Sequence, residues 1–321
     1  MKKWLLVLLS VAMLCGMVFA NGQQDADRPF RIGVSLQSLE NSYWAGVFGE
    51  VEKELKAKGW EYTILACKDN SATQIQQIEN FMTSGVDLIM VHPSDPNALE
   101  DYLKAAREQG IKVMCWDDKM VNTDVNWVLD NTKLGYVIGE TAAKFVNTHY
   151  STSNKAKIAV MNYPQTPILL ERENGILTGL KENADGKYEI IAQQPALDPA
   201  TAIANMETIL QAEPDTKMVC SIGAGGDIGS NEAFLAKYGG EIPEDVGIFA
   251  ADATKQQLEA IIRGEATRAI IGFEGSNKKT AQAAVALYEK LLNNETLPGQ
   301  NIYRNLLVID KDNASVYLAD Y

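Results

Sequence analysis

From residue 30 to the C-terminus, short apolar runs alternate with longer amphipathic stretches. The runs read "FRIGVSL", "EYTILAC", "DLIMVH", "IKVMCWD", "VNWVLD", "AKIAVMNY", "YEIIAQQ", "KMVCSI", "VGIFAAD" and "TRAIIGF". Most are continuous rather than alternating, the pattern of strands covered on both faces. Between the first two, Trp44, Val47, Phe48, Val51 and Leu55 recur at helical spacing, and Gly59 follows as a stop signal. Strand–helix alternation this regular predicts an α/β fold: parallel sheets flanked by helices and built from right-handed crossovers.

The cycle falters around residues 118–131, where "DKMVNTDVNWVLDN" sets two strands close together with no helix between them. A crossing between two lobes fits there. A second is expected near 264–272, and a third just after "LPGQN", where a final strand "IYRNLLVID" begins. The part of the chain from residue 21 on, about 300 residues, exceeds what one core usually spans. Two lobes interleaved in sequence are therefore expected, 30–131 plus 273–300 and 132–272 plus 301–321.

The N-terminus changes the picture. Lys2 and Lys3 precede the apolar run "WLLVLLSVAMLCGMVF", Ala20 closes it, and polar "NGQQDADRP" follows. This order reads as a secretory signal over 1–20 with a tail over 21–29, and so as an extracytoplasmic, periplasmic protein. Cys15 raises a lipid anchor, but Leu14 before it is bulky where lipoprotein signals want a small residue. The net charge is -13, and loss of two lysines with the leader makes it more negative still. Such a chain repels phosphate backbones and anionic lipid, which sets aside nucleic acid and membrane surfaces as partners. Cys67, Cys115 and Cys220 each sit in an apolar run and read as small core residues. No pair has metal spacing, so neither a disulfide framework nor a metal is expected.

In doubly wound sheets ligands bind beyond the carboxyl ends of the strands. Here those ends carry carboxylates beside aromatic residues, as in "QSLENSYW" and "KVMCWDDK". Carboxylates accept paired hydrogen bonds from vicinal hydroxyls, and aromatic faces cover the C–H face of a sugar ring, a set suited to a neutral polyhydroxylated ligand. Any one such Asp or Asn could instead be a helix N-cap, so the set carries the reading. His92, before a proline, reads as a cap or packing residue, and His149 as surface. No H-E-x-x-H, G-x-S-x-G or G-x-x-x-x-G-K-[ST] occurs. Asp117 and Asp118 could do acid–base work, but adjacent side chains at a strand end point opposite ways. No enzyme and no cofactor are expected. Gly223, Gly225 and Gly229 in "GAGGDIG" give G-x-G-x-x-x-G, not the dinucleotide fingerprint. They read as a tight turn approaching a small ligand, with Asp227 capping the next helix or reaching a hydroxyl.

In this order and at these spacings, "RIGVSLQSLENSYW", "GVDLIMVHPSDPNAL", "IKVMCWDDK", "LLERENGILTGL", "GGDIGSNEAF" and "GIFAADAT" resemble the periplasmic sugar-binding proteins of the ribose/galactose type, over essentially the whole chain after the leader. The resemblance implies two Rossmann-like lobes joined by a three-strand hinge, closing on a monosaccharide or polyol. It also implies a monomer serving a membrane ABC permease and sometimes a chemoreceptor. Carried over, Asn41, Tyr43 and Trp44 match the first-loop asparagine and stacking pair. Asp117 matches the aspartate that holds two sugar hydroxyls, Arg172 the second-lobe arginine, and Asp252 the aspartate after a late strand. Leu197 or Asp198 stands where the family often has another stacking aromatic.

Three departures stand out. The usual "DR" is Asp117–Asp118, which loses an arginine. The usual "ND" is Gly226–Asp227, with two extra residues expected to lengthen the loop. The hinge glutamine becomes Phe273, followed by Glu274. Together they imply a more acidic pocket and a sugar or polyol that could bear an amine. An autoinducer-2-type receptor of the same fold is the alternative, from the likeness of "CWDD". A dehydrogenase has only the glycine cluster behind it, and a sugar-responsive repressor would need a DNA-binding helix-turn-helix where the leader stands.

Overall fold

All ten apolar runs form strands in the computed structural model, which describes residues 28–40, 42–274 and 276–320. The leader, Cys15 and Asn41 lie outside the described residues. The elements of the first half are β1 (Arg31–Leu36), α1 (Ser42–Ala57), β2 (Glu61–Ala66), α2 (Ser71–Ser84), β3 (Leu88–His92), α3 (Pro96–Glu108), β4 (Lys112–Trp116) and β5 (Val125–Val128). There follow α4 (Asn131–His149), β6 (Ala156–Asn162), α5 (Pro167–Ala184), β7 (Tyr188–Pro195), α6 (Pro199–Ala212), β8 (Met218–Ser221), α7 (Ala224–Tyr238), β9 (Gly247–Ala251), α8 (Lys255–Ile262) and β10 (Thr267–Phe273). The chain closes with α9 (Asn277–Leu292), β11 (Asn301–Tyr303), β12 (Leu306–Asp310) and α10 (Ala314–Leu318).

Two six-stranded sheets result, ordered β11-β5-β4-β3-β1-β2 and β12-β10-β9-β8-β6-β7. Every pairing is parallel except that of β12 with β10. The continuous apolar runs are explained by helices on both faces. In β3, Leu88 and Met90 pack with Val47, Val51 and Leu55 of α1 and Val285 of α9, while Ile89 and Val91 pack with Ile78 of α2 and Leu99 and Leu103 of α3. Burying each such side chain contributes roughly 1.5–3 kcal/mol. The four edge strands, β2, β7, β11 and β12, depart from the rule and are mostly exposed or half-buried.

The last apolar run is not one strand. Residues 301–303 pair with β5 in the first sheet, whereas Leu306–Asp310 run antiparallel to β10 in the second. Residues 301–303, expected in the second lobe, therefore belong to the first sheet. The chain passes between sheets after β5, after β10 and at Arg304–Asn305; the segment 264–272 lies wholly on the second side. The three passages are tied together. Arg304 N donates to the Val128 carbonyl at 2.9 Å and Glu274 N to the Asn305 carbonyl at 3.1 Å. The Glu274 carboxylate accepts from Asn305 N at 2.7 Å and from its Nδ2 at 3.0 Å.

In the second lobe α4 and α5 lie nearly backbone to backbone. A Cβ on Gly135 would sit 1.9 Å from the Arg172 carbonyl oxygen, and one on Gly139 2.2 Å from that of Ile176. Gly175 and Gly179 meet α4 in the same way. This contact fixes where α5 presents Arg172.

Candidate ligand-binding site

The strand ends of both sheets open onto one shared cavity of ≈ 820 Å³, within the range of small-molecule sites. On the first-lobe side, the first turn of α1 supplies Tyr43 and Trp44. The Trp44 ring lies 4.2 Å from that of His92 and stacks at 5.9 Å on Phe48, with Trp116 edge-on at 5.6 Å. These neighbours hold the indole in one orientation. Tyr43 meets Trp44 and Phe273 edge to face, at 5.2 and 6.0 Å, and burial pushes its hydroxyl pKa up.

Asp117 follows β4 and Asp252 follows β9, and both hold left-handed backbone, with φ of 75° and 77°. Non-glycine residues in this region cluster at ligand sites, where surrounding structure maintains them. Asp252 Oδ2 accepts from Ala224 N at 2.8 Å. Burial raises its pKa, and the nearby Arg172 charge opposes that rise.

Arg172 is buried. Its Nη2 and Nε donate to Asn131 Oδ1 at 2.7 and 3.1 Å, and its Nη1 to the Ile222 carbonyl. Burial lowers its pKa, and Asp252 and then Asp117 counter this. Asn131 opens α4, so the α4–α5 contact positions both partners.

Arg304 was not anticipated. It is 4% exposed and lines the cavity. Its Nη2 donates to Asp117 Oδ1 and its Nη1 to the Tyr43 hydroxyl at 3.3 Å. The guanidinium lies 5.2 Å from the Phe273 ring, 5.6 Å from Trp127 and 5.9 Å from Trp116, a cation–π enclosure. The arginine missing from the strand-four motif thus has a counterpart from a distant segment. An arginine interrupting an apolar run was the signal for it. His92, read as a packing residue, packs on Trp44 and also places Nε2 3.8 Å from Asp117 Oδ2. Burial holds its pKa down. Asn277, at the start of α9, is a further lining residue that sequence reasoning passed over.

Of the expected site residues, Tyr43, Trp44, Asp117, Arg172, Asp252 and Phe273 line the cavity, as do Leu197 and Asp198. Three do not. Asp118 is half-buried near the Cys115 thiol, and burial followed by the Asp117 charge moves its pKa to about 6. Glu274 is the strap on Asn305 described above. Asp227 is fully buried behind the cavity wall, where its two oxygens accept from Gln257 Nε2 and Thr267 Oγ1, each at 2.7 Å, and tie α7 to α8 and β10.

The glycine cluster is corrected as well. No lengthened loop exists, because α7 begins at Ala224. None of Gly223, Gly225, Gly226 and Gly229 has positive φ. A Cβ on Gly225 would lie 2.0 Å from the Leu197 carbonyl oxygen, and one on Gly229 2.4 Å from that of Pro199. Gly225 lets α7 approach the segment before α6 and Gly229 the first turns of α6, and Gly223 and Gly225 also form cavity wall.

Two mainly parallel sheets, joined by three short passages around one cavity, define the class of two-lobed α/β binding proteins. A family model described as a periplasmic binding protein domain matches residues 32–296, and the chain belongs to that family. The chain is similar to the ribose import binding protein RbsB of Bacillus subtilis, 26% identical over 238 residues and 73% of each chain. It is also similar to the D-xylose-binding periplasmic protein of Escherichia coli, 24% identical over 273 residues, covering 84% of this chain and 79% of that one. Among solved structures it resembles a periplasmic solute-binding protein of Actinobacillus succinogenes with bound D-allose, with a TM-score of 0.75 at 21% identity over 90% of this chain and all of that one. A solute-binding protein of Bacillus halodurans with bound myo-inositol gives 0.74 at 21% identity, over 93% of this chain and 100% of that one.

Proposed function

We propose that this protein captures one neutral monosaccharide or polyol between its lobes and delivers it to a membrane ABC permease, as an exported monomer without chemistry of its own. The observation that carries this reading is the makeup of the cavity. Asp117 pairs with Arg304 and Asp252 lies in the field of Arg172, beside the rings of Tyr43, Trp44 and Phe273. Fixed donors and acceptors in compensated pairs suit hydroxyl groups, and aromatic faces suit C–H surface. Asp118, Asp227 and Glu274, the acids behind the expectation of an amine, do not line the cavity. A neutral ligand is therefore the better fit. The relatives named for ribose and xylose, and the allose- and inositol-bound neighbours, support the same class. Groups from both lobes engage the ligand, which favours the closed form and shifts the hinge equilibrium. Export is supported by the leader, and a chemoreceptor is a second partner for the closed form.

Thermal unfolding against a panel of pentoses, hexoses and inositols tests the reading. A true ligand at 100 times its Kd adds about 2.7 kcal/mol, a rise in Tm of several degrees. A panel with no stabilising member, beside a stabilising nucleotide or amine, would sink it.

A further inference from the structure

We infer that Arg304 couples ligand capture to the hinge: it positions Asp117 for the ligand and transmits occupancy of that carboxylate to the lobe crossings. The inference rests on the sugar-binding reading and extends it to a residue that does not belong to the strand-end set.

Three sets of contacts converge on this residue. Its backbone forms the third passage between lobes, and its N–H is bonded to Val128 at the first, 2.9 Å away. Its guanidinium faces Phe273, the last strand residue before the second passage, at 5.2 Å. It also grips Asp117 at the end of β4 and Tyr43 at the start of α1, both cavity residues. Through its backbone and its guanidinium together, one buried residue therefore touches all three passages and two groups that line the cavity.

Arg304 takes Asp117 Oδ1, which leaves Oδ2 as the acceptor for a ligand hydroxyl. Movement of the carboxylate on ligand contact must be answered by the guanidinium, since the two are directly bonded. The guanidinium is enclosed by the rings of Trp116, Trp127 and Phe273, which lie on β4, β5 and β10, so its displacement presses on strands that lead into the passages. Its Nε has no partner among the described residues, so the grip on Asp117 and Tyr43 carries the polar side of its placement. A neutral replacement leaves Asp117 without its counter-charge.

The test uses Arg304→Lys, Arg304→Gln, Asp117→Asn and the Arg304→Gln/Asp117→Asn double variant of the full chain. Calorimetry is run with whichever of D-ribose, D-xylose, D-allose or myo-inositol binds the parent most tightly, and lobe closure is read by small-angle scattering with and without it. Circular dichroism and Tm establish that each variant is folded. Arg304→Gln and Asp117→Asn should each lose on the order of 100-fold in affinity. The double variant should be no weaker than the weaker single one, because the two residues act as a unit. Arg304→Lys should recover part of the loss. At saturating ligand, Arg304→Gln should compact less than the parent, which a merely structural role would not cause.

Losses that multiply in the double variant, or a folded Arg304→Gln protein that binds and compacts like the parent, overturn the inference and leave the sugar reading standing. A parent that no pentose, hexose or inositol of the panel stabilises, while a nucleotide or an amine does, overturns both.

Discussion

Gly135→Ala tests whether helix packing far from the ligand sets the site. The new methyl would start 1.9 Å from the Arg172 carbonyl oxygen and 2.7 Å from its carbonyl carbon, where ordinary contact begins at 3.4 Å. Both obstructing atoms are backbone, so α5 must retreat from α4 by about 1.5 Å. That movement separates Arg172 from Asn131, whose bonds of 2.7 and 3.1 Å orient the guanidinium. A bond stretched by that much no longer counts as one, and a hydrogen bond to a charged group is worth about 1.5–3 kcal/mol. Overpacking should itself lower stability by roughly 1–3 kcal/mol. The expected result is a Tm lower by several degrees and a ligand Kd about 10- to 100-fold weaker by calorimetry. Gly49→Ala is the control, because a Cβ there meets nothing within 4 Å. It should gain roughly 0.5–1 kcal/mol of helix stability and bind normally. If Gly135→Ala binds with parental affinity, Arg172 either does not depend on this contact or does not serve the ligand.

Other outcomes follow from the same geometry. Burial lifts the Asp227 carboxyl to about 6. A raised acid contributes stability that is fully present below the unfolded pKa, near 3.9, and is lost as pH climbs through 6, by on the order of 3 kcal/mol. Asp227→Asn should therefore gain in stability relative to the parent between pH 4 and 7, and parallel melting curves across that range would refute this. Trp44→Ala should cost about 2 kcal/mol or more of binding and remove most of the ligand-induced change in tryptophan emission, while far-ultraviolet circular dichroism is unchanged. Asp118→Asn should leave Kd within about threefold, since Asp118 is no part of the cavity lining and a change that removes no ligand contact costs ~0.5 kcal/mol or less; calorimetry showing a tenfold loss would return Asp118 to the site.

Much of the fold was legible because its cause is local and repeated. Strands buried on both faces read as unbroken apolar runs, and helices with one buried face read as spaced ones. The division of "IYRNLLVID" was not legible, since two polar residues are too short an interruption to end a strand by themselves and the break is decided by which sheet each half pairs with. Strand-end positions such as Asp117 and Asp252 could be read because topology puts ligand sites there. Arg304 left only the sign of an arginine interrupting an apolar run, since Trp116, Trp127 and Phe273, which enclose it, come from three separate segments. Asp227 misled because a buried acid held by neutral partners looks, in sequence, like an acid at a site. The glycines were ambiguous between turning and close approach. "GYVIG" at 135–139 and "GILTG" at 175–179, each with glycines four apart, were the available sign of helix packing.

The strap between Glu274 and Asn305 has a consequence for how affinity can evolve. It joins two of the three passages and contributes no lining residue to the cavity. A ligand's apparent affinity is its intrinsic affinity scaled by the fraction of molecules in the binding-competent shape. Tightening or loosening this strap therefore rescales every sugar by the same factor and leaves the order of preference untouched. Substitutions on the cavity wall reorder that preference. Apart from Arg304, which serves both, selectivity and sensitivity are encoded in different residues, so a lineage could match the protein to a scarce or an abundant nutrient without changing which nutrient it recognises.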